Sequence, residues 1–268
     1  NNRQKRIFFI NSWLFMSQFI LENFSLLLKV WIILGILTFI YLIVSKIRTP
    51  YGRHSSKDWG FMVNNGWAWF WMEFPALVVM PVLSIIGPNE LNPFSILLIT
   101  IWFIHYFNRV IVFPLRIKTK GKKMPLSIAL SAFFFNIFNG FFNGYYIGFI
   151  MESESIYNYN VLIGVLIFVL GMSINISSDN SLISLRTNGE GYKIPYGNFF
   201  NFVSCPNYMG EIIEWIGFSI IAFSLPALSF TLWTFFNLVP RALNHHEWYL
   251  ENFDNYPKNR KAVIPFIL

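Results

Sequence analysis

Apolar runs of roughly 20 residues or more recur along this 268-residue chain, and they constrain its fold more than any other feature. Crossing a hydrocarbon core about 30 Å thick takes about 20 apolar residues as an α-helix, and lipid offers no partner to an unpaired backbone N–H or C=O. Hydropathy places spans near residues 25–46, 61–87, 93–115, 125–150, 160–179, 207–223 and 225–243. An all-α membrane protein with seven transmembrane helices is therefore expected. Only Ser224 and Leu225 separate the last two spans before Pro226, so one long kinked helix is the alternative. The runs are continuous and do not alternate, which argues against a barrel. Composition agrees, with 55% hydrophobic and 12% charged residues, against about 25% charged in a soluble domain.

A net charge of +7 could suggest nucleic acid. The basic residues, however, sit in short connections, where lipid head groups and the positive-inside rule account for them. Lys46, Arg48, Arg53 and Lys57 follow the first span, and Arg116, Lys118, Lys120, Lys122 and Lys123 follow the third. Arg186 and Lys193 follow the fifth; Arg241, Lys258, Arg260 and Lys261 follow the last. Gly87-Pro88-Asn89-Glu90 and Met151-Glu152-Ser153-Glu154, after the second and fourth spans, contain neither Lys nor Arg. This pattern predicts an outside N-terminus and a cytoplasmic C-terminus.

Arg3, Lys5, Arg6 and Lys29 oppose that orientation weakly. The first apolar run, near residues 7–20, contains Asn11, Ser12, Ser17 and Gln18 and lacks a small-residue cleavage site, so it reads as an interfacial helix rather than a signal peptide. The expected organisation is an N-terminal interfacial segment, residues 1–24, and one membrane domain, residues 25–268. No inverted repeat of the kind found in transporters and no flexible linker is evident. Cys205 is the only cysteine, and the four histidines (His54, His105, His245, His246) have no metal-site spacing, so neither a disulfide nor a metal is expected. Nothing implies an obligate protein partner. A bacterial inner membrane or the endoplasmic reticulum fits equally.

Ionisable groups inside spans are costly and mark function by default. Glu73 lies in Trp67-Ala68-Trp69-Phe70-Trp71-Met72-Glu73-Phe74-Pro75, where apolar surroundings favour a protonated carboxyl that donates a hydrogen bond; a helix-packing carboxyl is the plainer reading. Tyr106 and Arg109, three apart in His105-Tyr106-Phe107-Asn108-Arg109, share a helix face, and Tyr106 could donate to a carbonyl or sit as an interfacial tyrosine. Asn175, Asp179 and Arg186 fall within about 40° on a continued helix, a stripe suited to ribose hydroxyls and a phosphate, or to a helix end emerging into water. Asn207, Glu211 and Glu214 form another such face. His245 and Tyr249 stand one turn apart beyond the last span. Gly189-Glu190-Gly191 lacks the third glycine of a dinucleotide fingerprint and follows no strand-like run. Any dinucleotide must then be held among the helices.

Taken in order, five blocks resemble the steroid 5α-reductase (3-oxo-5α-steroid 4-dehydrogenase) family from about residue 50 to Leu268. They are His105-Tyr106-Phe107-Asn108-Arg109; residues 171–179, ending Asn175-Ile176-Ser177-Ser178-Asp179; Tyr192-Lys193-Ile194-Pro195-Tyr196-Gly197; Asn207-Tyr208-Met209-Gly210-Glu211-Ile212-Ile213-Glu214-Trp215; and residues 256–266, beginning Tyr256-Pro257-Lys258. The resemblance implies a seven-helix reductase that binds NADPH and transfers hydride to C5 of a Δ4-3-oxo steroid. It implies that Glu73 and Tyr106 hydrogen-bond the C3 carbonyl, and that Asn175, Asp179, Arg186, Tyr192, Lys193, Asn207, Glu211, His245 and Tyr249 bind the cofactor. Lys122 or Lys123 would meet the adenosine phosphate.

Two positions depart from the family pattern. Met72 stands where a glutamine usually precedes the acid, and Ser177 replaces a histidine. Rival expectations are reduction of another enone or polyprenol lipid, methylation from S-adenosylmethionine, and an ion-coupled transporter using Glu73 and Glu211.

Overall fold

The computed structural model describes residues 2–50, 52–117, 121–152, 154–186 and 192–268. Lys118, Lys120, Ser153 and the Gly189-Glu190-Gly191 run lie outside the described residues. The long helices are α1 (Asn2–Ser45), α2 (Asn65–Ile86), α3 (Pro93–Arg116), α4 (Leu126–Ile150), α5 (Tyr159–Ser184), α6 (Pro206–Ala222) and α7 (Leu225–Asn252). Among the described residues five stretches are long and apolar enough to cross a membrane: Gln18–Ser45 and helices α2 to α5.

Boundaries follow local chemistry. Asn64 caps α2 by accepting from the Gly66 and Trp67 backbone N–H groups, and Asn92 forms a reciprocal capping box with Ser95 at α3. At the α6–α7 junction Phe223 turns left-handed (φ 41°) and Ser224 accepts from the Ala227 N–H. Two capped helices therefore meet there, and not one kinked one. Helix α1 continues through residue 24, with no break before the expected first span. α5 extends to Ser184, a turn beyond its apolar run.

One small piece departs from an all-helical reading. Strand β1 (Met62–Asn64) pairs antiparallel with β2 (Lys123–Pro125), converting the start of the predicted second span into a clamp. Asn65 N–H donates to the Lys122 carbonyl, Leu126 N–H to Phe61, and Ser55 Oγ to the Lys123 carbonyl. The clamp holds the connection carrying Arg53 and His54 beside the one carrying Lys122 and Lys123.

Helix packing is governed by small residues that let backbones approach, as expected where lipid provides no hydrophobic drive between helices. Gly164 and Gly171 on α5 face Gly217 and Gly210 on α6; a Cβ on Gly210 would lie 2.7 Å from the Gly171 carbonyl, and one on Gly217 2.7 Å from the Gly164 carbonyl. α3 joins this pair through a buried aromatic cluster of Trp102, Trp215, Phe218 and Phe230. Trp102 Nε1 donates to the Ala76 carbonyl of α2. α1 docks on α7, where the Trp31 and Trp233 rings meet tilted by 33° with centroids 4.7 Å apart. The C-terminal tail returns to the loop before α6, with Ser204 and Cys205 N–H groups donating to the Lys261 and Ala262 carbonyls.

Replacing Gly217 by Val is expected to push α5 from α6 and to destabilise the protein by about 1–3 kcal/mol or more, as overpacking does. Gly66→Ala, whose Cβ would meet only the Asn64 side chain at 3.4 Å, serves as the neutral control. Thermal unfolding in detergent or nanodiscs compares them, and an unchanged Gly217→Val would contradict the packing.

Candidate active site

The helices enclose a cavity of about 610 Å³, within the roughly 300–1,000 Å³ usual for small-ligand sites. Its walls differ in character. Glu73, Tyr106, Arg109, Asp179 and Glu211 form a charged floor; Arg53, Lys122, Lys123, Arg186 and Arg241 form a basic end; Trp31, Phe134, Phe135, Phe138, Trp233 and Leu238 supply an apolar side.

Arg109 is the centre of the floor. It lies in a π-turn, Asn108–Val112, that interrupts α3, a local distortion frequent at functional sites. Its guanidinium faces one carboxyl from each of three helices: Asp179 of α5 at 3.6 Å, Glu211 of α6 at 3.8 Å and Glu73 of α2 at 4.0 Å. Trp69 and Phe113 flank it, their ring centroids 4.7 and 5.0 Å from the guanidinium carbon. Arg109 thus sets one positive charge against three carboxyl groups. Among the described residues the buried Glu211 Oε2 has no hydrogen-bond partner.

Glu73 and Tyr106 line the same cavity from neighbouring helices. Asn136 of α4 donates to Glu73 Oε2 at 3.1 Å. Tyr106, 3% exposed, packs against Trp102 and Trp215. Beside it His105 Nδ1 pairs at 2.8 Å with Glu214, whose side chain is fully buried. Asn207 Nδ2 donates to Asp179 Oδ1 at 3.1 Å, and Asn175 Nδ2 to the Asn207 carbonyl at 3.0 Å.

At the basic end Arg53 lies among three rings, 4.8 Å from the Tyr192 centroid, 4.6 Å from Trp248 and 4.4 Å from Tyr249. It donates to the Tyr249 hydroxyl at 3.1 Å, and its buried Nη1 has no hydrogen-bond partner among the described residues. Lys122 Nζ donates to the Tyr192 hydroxyl at 3.2 Å. His54 stacks on His245 with ring nitrogens 3.2 Å apart, and His245 reaches the Tyr208 hydroxyl at 3.3 Å. Burial pushes the Cys205 thiol up to about 12, so it is no thiolate nucleophile.

Residues 122–268 match the family model for 3-oxo-5-alpha-steroid 4-dehydrogenase. The chain is 43% identical over 229 residues to a steroid 5-alpha-reductase DET2 of Gossypium hirsutum, covering 82% of this chain and 89% of the relative. It is 42% identical over 231 residues to that of Arabidopsis thaliana, with 82% and 88% covered. It is 37% identical over 236 residues to 3-oxo-5-alpha-steroid 4-dehydrogenase 1 of Bos taurus, with 85% and 91% covered. The chain belongs to the 3-oxo-5-alpha-steroid 4-dehydrogenase family. This is an oxidoreductase family, and the five apolar helices make this member a multi-pass membrane protein.

Within this family member, eleven of the residues singled out from sequence line the cavity: Glu73, Tyr106, Lys122, Lys123, Asp179, Arg186, Tyr192, Asn207, Glu211, His245 and Tyr249. Asn175 does not line it; it ties α5 to the start of α6. Lys193 lines a small side pocket with Arg53, Arg186, Tyr192 and Tyr249. Sequence reasoning left Arg53, Asn136 and Arg241 unassigned, and gave Arg109 no role beyond sharing a face with Tyr106. A single basic residue in a span was the available signal for Arg109. Arg53 carried none, since a basic residue after a span already had a topological explanation.

Arg109→Met is expected to destabilise the protein by about 3–5 kcal/mol, the usual result of stripping the counter-charge from buried carboxylates. Unfolding of the reconstituted protein measures it, and a loss below about 1 kcal/mol would deny Arg109 its central role. A second expectation concerns pH. Burial, then the charges of Arg53 and Arg48, lower the His54 imidazole from 6.5 to about 4. A base kept neutral in the fold adds stability that is present above pH 6.5 and is lost as the pH falls toward 4. The Tm at pH 4.5 should therefore lie below that at pH 7, with a smaller drop in His54→Gln.

Proposed function

We propose that this chain reduces the Δ4 double bond of a 3-oxo-Δ4 steroid with NADPH, hydride going to C5 and a proton to C4, to give the 5α-dihydro product. The convergence of Glu73 and Tyr106 on a cavity whose other end is cationic carries this reading. When bound, NADPH supplies the hydride. Glu73 and Tyr106 donate hydrogen bonds to the C3 carbonyl and stabilise the negative charge that grows on its oxygen as hydride attacks the enone. The apolar wall admits the steroid skeleton and excludes water, which strengthens those hydrogen bonds.

The residues present suit the cofactor. Among the described residues neither Arg53 Nη1 nor Glu211 Oε2 has a hydrogen-bond partner: the first is a donor for an anion at the basic end, and the second, 3.8 Å from Arg109, an acceptor for an amide or hydroxyl on the floor. Asp179, Asn207 and Glu211 would hold the nicotinamide half, with Asn175 supporting Asn207. Arg186, Tyr192, Lys193, His245 and Tyr249 would hold the phosphates and adenosine, and Lys122 or Lys123 the additional phosphate that separates NADPH from NADH.

Residues 25–268 form the seven-helix reductase domain in this reading, residues 1–24 lie at the interface, the N-terminus is outside and the C-terminus cytoplasmic. The Lys/Arg distribution supports that orientation. It places the basic end of the cavity, built from the Lys/Arg-bearing connections, toward the cytoplasm. Either a bacterial inner membrane or the endoplasmic reticulum would serve as host.

Reconstituted protein given NADPH and testosterone is expected to yield the 5α-dihydro steroid by mass spectrometry. Glu73→Ala and Tyr106→Phe should each lower kcat by about 10²–10³, the magnitude of a lost oxyanion donor. Full turnover in both variants would remove their assignment.

A further inference from the structure

Asn136 interrupts the apolar run of α4 with an amide that is 3% exposed yet borders the cavity. A primary amide in such a place is costly unless bonded. Its Nδ2 is bonded twice, to the main-chain carbonyl of Met72 at 2.7 Å and to Glu73 Oε2 at 3.1 Å, so one nitrogen spans two consecutive residues of α2.

The Met72 carbonyl settles which end of the amide faces α2. A carbonyl only accepts, so the group opposite it is the NH2 and not the amide oxygen. That NH2 has two hydrogens and no acceptor capacity, which makes Glu73 Oε2 an acceptor too. A neutral carboxyl carries its hydrogen on one oxygen alone. The carbonyl oxygen of a neutral carboxyl is a stronger acceptor than its hydroxyl oxygen, so with Oε2 accepting from Asn136 the favoured place for the hydrogen is Oε1. Arg109 Nε stands 4.0 Å from Oε1, beyond hydrogen-bond distance. Among the described residues Asn136 is the side chain that hydrogen-bonds the Glu73 carboxyl.

We propose that Asn136 is a positioning residue for the reduction: by donating to Oε2 it holds the Glu73 proton on Oε1, the oxygen free to hydrogen-bond the substrate carbonyl. The proposal rests on the reading of Glu73 as the carbonyl-binding acid. Asn136 itself touches neither the substrate carbonyl nor the hydride, and it acts through Glu73. Without it the carboxyl can rotate, and its hydroxyl is as often turned toward α4 as toward the substrate.

Two readouts separate this role from simple clamping of α4 on α2. The first is a double-mutant cycle in the reconstituted chain with NADPH and testosterone. Asn136→Leu should lower kcat about tenfold, the scale of a misaligned catalytic group, with KM within about twofold. In a Glu73→Ala background the same change should lower kcat by less than about twofold, because the two act through one group. The second needs no turnover. The Glu73 carboxyl C=O stretch, identified by subtracting the infrared spectrum of Glu73→Ala, should move to higher wavenumber in Asn136→Leu as its donor is lost. Should Asn136→Leu not assemble, the smaller Asn136→Ala, which also removes the donor, is read through the same band.

Additive losses in the cycle, an unmoved band, or no protonated Glu73 band in the parent protein would overturn the proposal. If the parent protein fails to reduce testosterone, the functional reading fails while the infrared comparison still decides whether Asn136 orients the Glu73 proton.

Discussion

Arg109 and the three carboxyls around it are what the remainder of the interior must accommodate. At an effective dielectric of about 20, unit charges about 4 Å apart attract by about 4 kcal/mol. That attraction competes with the cost of taking each ion out of water, so the cluster survives only when its members are held together and shielded from lipid. Asp179, Glu211 and Glu73 come from three helices. The ion pairs therefore cannot form until those helices are packed, and the packing cannot relax without exposing them.

The close approach of α5 and α6 makes this geometry possible. Gly164, Gly171, Gly210 and Gly217 bring the two backbones into contact, so Asp179 and Glu211 meet Arg109 from adjacent walls. The π-turn at Asn108–Val112 widens α3 where Arg109 leaves it. On the opposite side Asn136 bonds α4 to the Met72 carbonyl and to Glu73. Each polar group in the floor thus has its place assigned by an interhelical contact, as polar groups in hydrocarbon require.

The basic end is built by other means. Among the described residues aromatic faces, rather than counter-ions, hold Arg53: Tyr192, Trp248 and Tyr249 surround it, and Tyr249 in turn stacks parallel on Tyr256 at 5.0 Å. Tyr256 shares a hydrogen bond with Ser204, which the returning C-terminal tail fixes through Lys261. A guanidinium held by rings keeps its charge available to an anion. The two ends differ accordingly, the floor being electrostatically crowded and the basic end in excess of positive charge.

Where the chain forms helices was legible in the sequence, because transfer of an apolar run into lipid is a local property of about 20 residues. Helices α2 to α6 follow the hydropathy reading to within about a turn, whereas α1 begins well before its expected span and α7 runs past its own; the polar positions Glu73, Tyr106, Asp179 and Glu211 all reach the cavity. What lies between segments was not legible. The pairing of β1 with β2, the separation of α6 from α7 at a left-handed Phe223, the use of Asn175 as a brace and the place of Arg53 and Asn136 in the cavity wall depend on partners as far as 196 positions away. A periodicity argument compares neighbours on one helix and sees none of these. Residue type and span decided which groups had to hide from lipid; the interhelical packing decided which of them meet, since a buried charge or amide is placed by its partner and not by its own segment.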